Sequence, residues 1–499
     1  MKIRILLLFV VYVTFFLTGV AQEEGLYAEY QQGQERLNEE FTRVLYGDPQ
    51  SLYSLSEQAF ERKIETWRQK YLDLLSEFSQ KHPEADALFL TSEKTDIHYY
   101  FEKIYIDYAF YHEQLTEERV SLARRVNQNR KDFNNPVLLK SESFLRYIRA
   151  LWNLMSIRDM YDGKLDGQDN QLLRGTIHHI KKDITNTDVY DYIVFYTLMD
   201  YIENYGINNI DDLVDDYMSR VETDSYKERL QAFFDQEKEK RQGHVIKVYK
   251  EAGPYELEIH IFTPRDEMNS PLRPVALFVH GGSWSEGKPD WDFSTCEFFA
   301  SRGWVGIAIE YRIADRHNSL PFESLKDVKS AIRWVRQHAG DYNIDPDKIL
   351  VTGKSAGAHL ALAATLVDGW NEKSDDRSLS ARPDALMLIS GVYDLTDGNW
   401  IHRALRRRGE SEDLVEEISP NQLPLKEMPP ILVIHGTEDN NVPFETARTF
   451  VERMKEANQP CEFHPIEGAG HFMWYGQYGK LVWDLQKDFI NRLGYGLPL

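Results

Sequence analysis

Apolar positions along this chain follow two rhythms. From Gln22 to about Lys240 they recur three and four residues apart, the spacing of one helix face. Leu55, Ile64, Trp67, Tyr71, Leu74, Leu75 and Phe78 make one such stripe, and Ser54 with Glu57 forms a capping-box signature at its start. Phe144, Tyr147, Ile148, Leu151 and Met155 make a second stripe. Ile210, Leu213, Tyr217 and Val221 make a third, followed by Tyr226, Leu230 and Phe233. Glycine and proline are sparse, no strand-like alternation persists and no fixed period repeats, so the spacing predicts an all-helical domain over 22–240.

Around Gln242 and Gly243 the pattern changes. Short β-branched runs predict strands at 245–249 and 257–262, with a turn at Gly253 and Pro254 between them. Further strands are predicted at 275–279, 305–310, 349–352, 385–389, 431–434 and 462–465. Helical segments fill the gaps at 294–301, 323–338, 356–366, 445–456 and 480–492. This alternation over 241–499 predicts an α/β fold with a mostly parallel, about eight-stranded sheet covered on both faces. Ligands of such a sheet bind beyond the carboxyl ends of its strands, so the chemistry is to be sought just after each one.

The first residues read as an address rather than as structure. Lys2 and Arg4 precede an apolar run over 5–17, with small residues at Gly19 and Ala21, the pattern of a signal peptide over 1–21 cut between Ala21 and Gln22. The run is short for a membrane span of about 20 residues. No cysteine follows it for lipid attachment, and no later segment is long and apolar enough to cross a bilayer. The mature protein is therefore expected to be secreted or periplasmic and free of the membrane.

A length of 499 residues implies two or more domains, and 42% apolar with 28% charged residues excludes wholesale disorder. The formal charge of −22 argues against nucleic-acid binding and against docking on an anionic membrane. Cys296 and Cys461 are too few for a disulfide framework and lack zinc-ligand spacing; a pair of buried free thiols is expected, though one bridge between them is compatible with the sequence. His178 and His179 are neighbours on a helix and point in different directions, with no partner at metal-site spacing. Tyr99, Tyr100, Tyr105, Tyr108 and Tyr111 read as helix core rather than as an exposed stacking surface.

Four post-strand loops carry chemistry. The strand at 349–352 runs into Gly353-Lys354-Ser355-Ala356-Gly357 and then a helix. Gly-x-Ser-x-Gly between strand and helix is a nucleophile elbow, a tight turn that lifts the serine hydroxyl above the sheet. Chance supplies about 0.1–0.2 copies of the bare pattern in a chain of this length, so the strand–turn–helix context is what gives it weight. A serine hydroxyl needs a base, and the base needs an orienting acid. His471 follows the last strand in Gly468-Ala469-Gly470-His471, and Asp439 follows the strand at 431–434. The order Ser355, Asp439, His471 is that of an elbow-type triad. Glu438 is a rival acid; Asp394, after an earlier strand, reads as structural. His280-Gly281-Gly282-Ser283-Trp284 follows the strand at 275–279, and the N–H groups of Gly281 or Gly282 with that of Ala356 are assigned to the oxyanion.

These residues make 243–499 resemble an α/β-hydrolase, and within that superfamily the bacterial carboxylesterases related to hormone-sensitive lipase, including feruloyl- and acetyl-esterase-like enzymes. The matching text is HGGSW at 280–284, EYR at 310–312, GKSAGAHLAL at 353–362, HGTEDNNVPF at 435–444 and GAGH at 468–471. The resemblance implies Ser355 as nucleophile, His471 as base, Asp439 as its partner, no metal and no organic cofactor. Lys354 stands where relatives often carry an acidic or small residue, and Ala358 where they often have glycine. The resemblance does not extend to the helical half, whose role the sequence leaves open.

The leading expectation is an exported serine esterase acting on a small-molecule or glycan ester, with acetyl or hydroxycinnamoyl (feruloyl) groups on polysaccharides or oligosaccharides as the favoured class. Trp284 and Trp474 flank the proposed site and read equally as substrate walls or as packing residues. The segment 395–429 is a candidate lid, and Arg403, Arg406, Arg407 and Arg408 within it read as solvated charge. A prolyl-oligopeptidase-type peptidase is the nearest rival, although a helical half stands where such enzymes carry a β-propeller. A glycan-binding module on an inert hydrolase scaffold is the third reading. The sequence leaves the oligomeric state open.

Overall fold

The structure is a computed structural model that describes residues 27–265, 271–396 and 400–495; the expected signal peptide at 1–21 lies outside the described residues. Two compact units divide the chain. One holds residues up to Asp162 with Arg174–Phe195 and Arg220–Tyr226, and the other holds Gly163–Leu173, Tyr196–Ser219 and the chain from Lys227 onward.

The first unit is helical, with helices Ala28–Tyr46, Glu57–Lys81, Ala87–Thr116 and Glu142–Tyr161 as its long members. The apolar stripes read from the sequence lie on them. Tyr99, Tyr105 and Tyr108 are buried, and Tyr108 stacks on Phe60 with ring centroids 4.0 Å apart. Tyr108 donates its hydroxyl to the Leu55 carbonyl and Tyr99 donates to Asp132, so these phenols bury their rings without stranding either of those two O–H groups. Ser54 and Glu57 form no capping box. Asp48 and Pro49 start a short helix, Pro49–Tyr53, which takes Ser54 as its C-cap, and Ser56 precedes Glu57–Lys81 instead. His179 is paired with Asp159 at 2.8 Å.

The second unit is built on an eight-stranded sheet in the order β1-β2-β4-β3-β5-β6-β7-β8. Its strands are β1 Val245–Ala252, β2 Tyr255–Phe262, β3 Arg273–Val279, β4 Val305–Ile309, β5 Ile344–Lys354, β6 Ala385–Ile389, β7 Ile431–Gly436 and β8 Cys461–Ile466. β2 is antiparallel to β1 and β4, and every other neighbouring pair is parallel. Each central strand sends alternate side chains to opposite faces. Val275, Leu277 and Val279 of β3 join one core, with helices Pro321–Gln337, Ala356–Leu366 and Phe444–Glu456. Ala276 and Phe278 join the other, with helices Phe293–Ser301 and Gly476–Arg492. β5 starts five residues before its predicted first residue, Ile349, because Arg273 pairs with Ile344 across a register shift and the polar Asp345-Pro346-Asp347-Lys348 between masks the alternation.

Three pieces of the helical half belong to this second unit, held by buried charge. Lys288 donates to the Ile202 carbonyl at 3.0 Å and pairs with Glu237 and Asp290, each at 3.1 Å. Arg316 pairs with Asp169 at 2.7 Å and with Glu310. Removing one partner of such a pair strands a buried charge, at a cost of about 3–5 kcal/mol. Both cysteines are free: Cys296 is fully buried, and burial pushes the half-buried Cys461 thiol up to about 12.

Candidate active site

Four parallel strands of the sheet end in the loops that the sequence singled out. At the end of β5 the chain turns through Ser355 with φ 53° and ψ −120°, a backbone region that L residues rarely occupy. The turn is possible because its neighbours lack side chains. A Cβ on Gly353 would lie 2.4 Å from the Gly357 carbonyl carbon, and one on Gly357 would lie 2.0 Å from the Val279 carbonyl oxygen. The Ser355 amide is held by the Ile389 carbonyl at 2.9 Å, and the helix Ala356–Leu366 begins at the next residue. Its first N–H groups have no intrahelical acceptor and present a positive end to the hydroxyl.

The loop after β3 lies against this turn. A Cβ on Gly281 would be 3.0 Å from the Lys354 carbonyl and 3.6 Å from Ser355 Cβ. Gly281 and Gly282 donate to no backbone carbonyl among the described residues outside helices and strands. His280 stiffens the loop: it is buried, stacks on Tyr311 at 4.1 Å and holds the Gly281 carbonyl through Nδ1 at 2.8 Å. Burial pushes its imidazole down to about 4, so it is a neutral brace. Tyr311 donates to the His280 carbonyl at 2.8 Å.

Asp439 and His471, the expected acid and base, meet across the loops after β7 and β8. His471 Nδ1 lies 2.7 Å from Asp439 Oδ2. Asp439 Oδ1 accepts the amides of Asn441 at 2.9 Å and Val442 at 2.8 Å. Burial alone would raise this carboxyl, but hydrogen bonds from His435, His471 and the Val442 amide outweigh it and hold Asp439 well below the usual carboxylate range. It is an anion at any working pH. Glu438 is exposed and makes no such contact, and Asp394 accepts from Thr396, Ser419 and Gln422, a turn-stabilising set.

Two residues that sequence reasoning passed over complete the frame. Ser390, at the end of β6 with φ 46°, donates its hydroxyl to the His471 carbonyl at 2.9 Å, one residue beyond the carbonyl that holds Ser355. One strand end thus ties both the serine loop and the histidine loop. The signal was its Ser-Gly pair just after a buried strand. His435, fully buried, places Nε2 3.1 Å from the Val442 carbonyl and 3.4 Å from Asp439 Oδ2. Both partners are acceptors, so Nε2 carries the proton and His435 is a second donor to the acid.

The flanking residues separate into two kinds. Trp284 is buried in the core cluster, edge-on to His359 at 5.2 Å. Trp474 is half-buried, with its ring 5.7 Å from the His471 ring. Lys354 pairs with Asp292 at 2.9 Å; burial works against its charge, but Asp292 outweighs burial and keeps it above its ordinary range. The segment 395–429 contains the helix Trp400–Arg407 and the turn Glu412–Ile418, whose Ile418 carbonyl accepts from His359 Nε2 at 2.8 Å. Arg406 pairs with Glu412 at 2.5 Å and Arg408 with Glu323 at 3.8 Å, so these arginines are surface ion pairs.

Known proteins share this part of the chain. The BD-FAE family matches residues 259–454. Esterase LipC of Mycobacterium tuberculosis is 33% identical over 227 residues, 42% of this chain and 55% of that protein. Isoprenylcysteine alpha-carbonyl methylesterase ICME of Arabidopsis thaliana is 27% identical over 221 residues, 41% of this chain and 51% of that one. The chain spans about half the length of the curated relatives it matches. A solved thermophilic esterase of Thermogutta terrifontis, Est2, is 36% identical with a TM-score of 0.48, covering 51% of this chain and 94% of that one. The family match ends before His471, whose contact with Asp439 is therefore an observation of this structure and not of that match. Residues 259–454 are a BD-FAE domain, an α/β-hydrolase of the hormone-sensitive-lipase-like kind, within a carboxylesterase segment of the chain.

Proposed function

We propose that this chain is a serine esterase that cleaves carboxylic esters through an acyl-enzyme. The observation that carries the reading is the 2.7 Å contact between His471 Nδ1 and Asp439 Oδ2, at the same sheet end as the strained Ser355 turn. With Nδ1–H committed to the acid, Nε2 is left as the base. Ser355 Oγ attacks the ester carbonyl carbon while Nε2 takes its proton, and the carbonyl π pair moves to oxygen. The N–H groups of Gly281 or Gly282 and of Ala356 stabilise that oxyanion, by about 3 kcal/mol per donor. The C–O bond to the alcohol then breaks and the imidazolium protonates the departing oxygen. Water repeats the sequence and releases the acid.

The substrate class we propose is an acetyl or hydroxycinnamoyl ester of a polysaccharide or oligosaccharide, met outside the cytoplasm. Its support is the sequence resemblance to feruloyl- and acetyl-esterase-like enzymes and the leader pattern at residues 1–21. Residues 27–240 contain no strand among those described, which speaks against the β-propeller of the peptidase alternative. The test is acetate and ferulate release from xylan or pectin, beside p-nitrophenyl esters and prolyl or alanyl p-nitroanilides. Ester turnover that vanishes in Ser355→Ala supports the reading; anilide turnover without short-ester turnover refutes it.

A further inference from the structure

The loop that delivers the base also carries an aromatic shelf. Phe472 and Tyr475 are 52% and 68% exposed, and Trp474 between them is half-buried. Single exposed aromatics are ordinary, but three within four residues form a patch of the sort that marks a ligand surface. The shelf touches the chemistry: the Phe472 and Trp474 rings lie 5.1 and 5.7 Å from the His471 imidazole, and 5.5 Å from each other. Tyr475 continues it at 5.9 Å from Trp474. A paired charge borders it, since Lys354 Nζ lies 5.9 Å from the Trp474 ring centre while bonded to Asp292.

The side of the reaction that this shelf serves follows from the proton transfer. His471 must reach the oxygen of the departing alcohol to protonate it, so groups packed around its ring border the alcohol. Trp284, by contrast, belongs to the oxyanion loop and packs on the nucleophile's helix through His359. A pyranose suits a shelf of this composition: its axial C–H face is apolar and flat enough to lie on a ring, and the part-exposed Lys354 ammonium beside Trp474, held by the buried Asp292, is a donor for its hydroxyl rim. We infer that Phe472, Trp474 and Tyr475, bordered by Lys354, form the alcohol subsite and hold a sugar ring as the leaving group. The inference rests on the serine-esterase reading and deepens it by assigning the sugar of the proposed substrate to named side chains.

Phe472→Ala, Tyr475→Ala and the double variant test it, because both side chains are exposed and their loss leaves the core intact. The readout is kcat/KM for a monoacetylated methyl xyloside divided by kcat/KM for ethyl acetate, whose alcohol is too small to reach the shelf. That ratio is expected to fall about 3–10-fold for one ring, chiefly through KM, and further for both. Phe472→Tyr and Tyr475→Phe, which keep a ring, restore it. The defect keeps its size when feruloyl replaces acetyl on the same xyloside. A ratio within twofold of wild type, or a defect that follows the acyl group, overturns the inference while leaving the esterase reading standing. A wild-type chain that cleaves neither ester overturns both.

Discussion

Replacing Asp439 by asparagine removes one negative charge and keeps the shape of the side chain. The amide oxygen can still accept the Asn441 and Val442 amides, as Oδ1 does now at 2.9 and 2.8 Å. The amide nitrogen then occupies the place of Oδ2, 2.7 Å from His471 Nδ1 and 3.4 Å from His435 Nε2. A donor there meets a donor on each ring. His471 can escape by moving its proton to Nε2, which turns the base into a donor pointed at the nucleophile. It also loses the anion that stabilises the imidazolium in the transition state. The same substitution in a serine protease triad lowers kcat by about 10⁴, or ~5 kcal/mol, and we expect a loss of about 10³–10⁴ here. The assay is kcat on p-nitrophenyl acetate at neutral pH, with circular dichroism confirming the fold and Glu438→Gln as control. Glu438 is exposed, so its variant should match wild type. Asp439→Asn retaining more than about a tenth of wild-type kcat would refute the tautomer argument.

Three further outcomes follow from the same geometry. Ser355→Gly is expected to abolish ester turnover yet raise the melting temperature, because relief of strain at φ 53° is worth about 1–3 kcal/mol against about 0.5–1 kcal/mol of added chain entropy; a lower melting temperature would contradict it. Gly357→Ala is expected to yield unfolded or insoluble protein, since its Cβ would stand 2.0 Å from the Val279 oxygen, and wild-type solubility and activity would contradict that closeness. Burial pushes the Asp315 carboxyl up to about 7 although Tyr205 donates to it at 2.7 Å. The folded state therefore holds a proton that the unfolded chain has lost, and stability falls as pH rises from the ordinary carboxylate range to about 7. Asp315→Asn, which needs no proton, should raise the melting temperature near pH 8 and change it little near pH 4; an equal change at both would show that the carboxyl is not the cause.

Much of this arrangement was legible in the residues. The central strands β3, β4, β6 and β7 were readable because they are buried on both faces and so are short and apolar. The expected triad came from topology, which puts chemistry at strand ends where the chain offers Ser355, Asp439 and His471 in order; of it the structure shows the contact between His471 and Asp439. Ser390 and His435 were not: Ser390 acts by a hydrogen bond to the His471 carbonyl on a loop distant in sequence, and His435, only four residues from Asp439, reads as one more buried residue at the end of β7 until its ring is seen to face the carboxylate. Nor did periodicity reveal that 196–219 and 227–240 join the sheet unit. A helical stripe says that one face is covered and not by what. Trp284 and Trp474 illustrate the same limit: both flank glycine-rich loops, and only packing distinguishes the buried ring from the half-exposed one.

The central claim is that Ser355 is a nucleophile activated by His471. A fluorophosphonate reacts only with a serine whose hydroxyl has lost its proton to a base and whose developing oxyanion is stabilised. Mass spectrometry of the labelled, digested protein should place one adduct on Ser355, with labelling lost in His471→Ala. An adduct on another serine, or labelling that persists undiminished in His471→Ala, would contradict it.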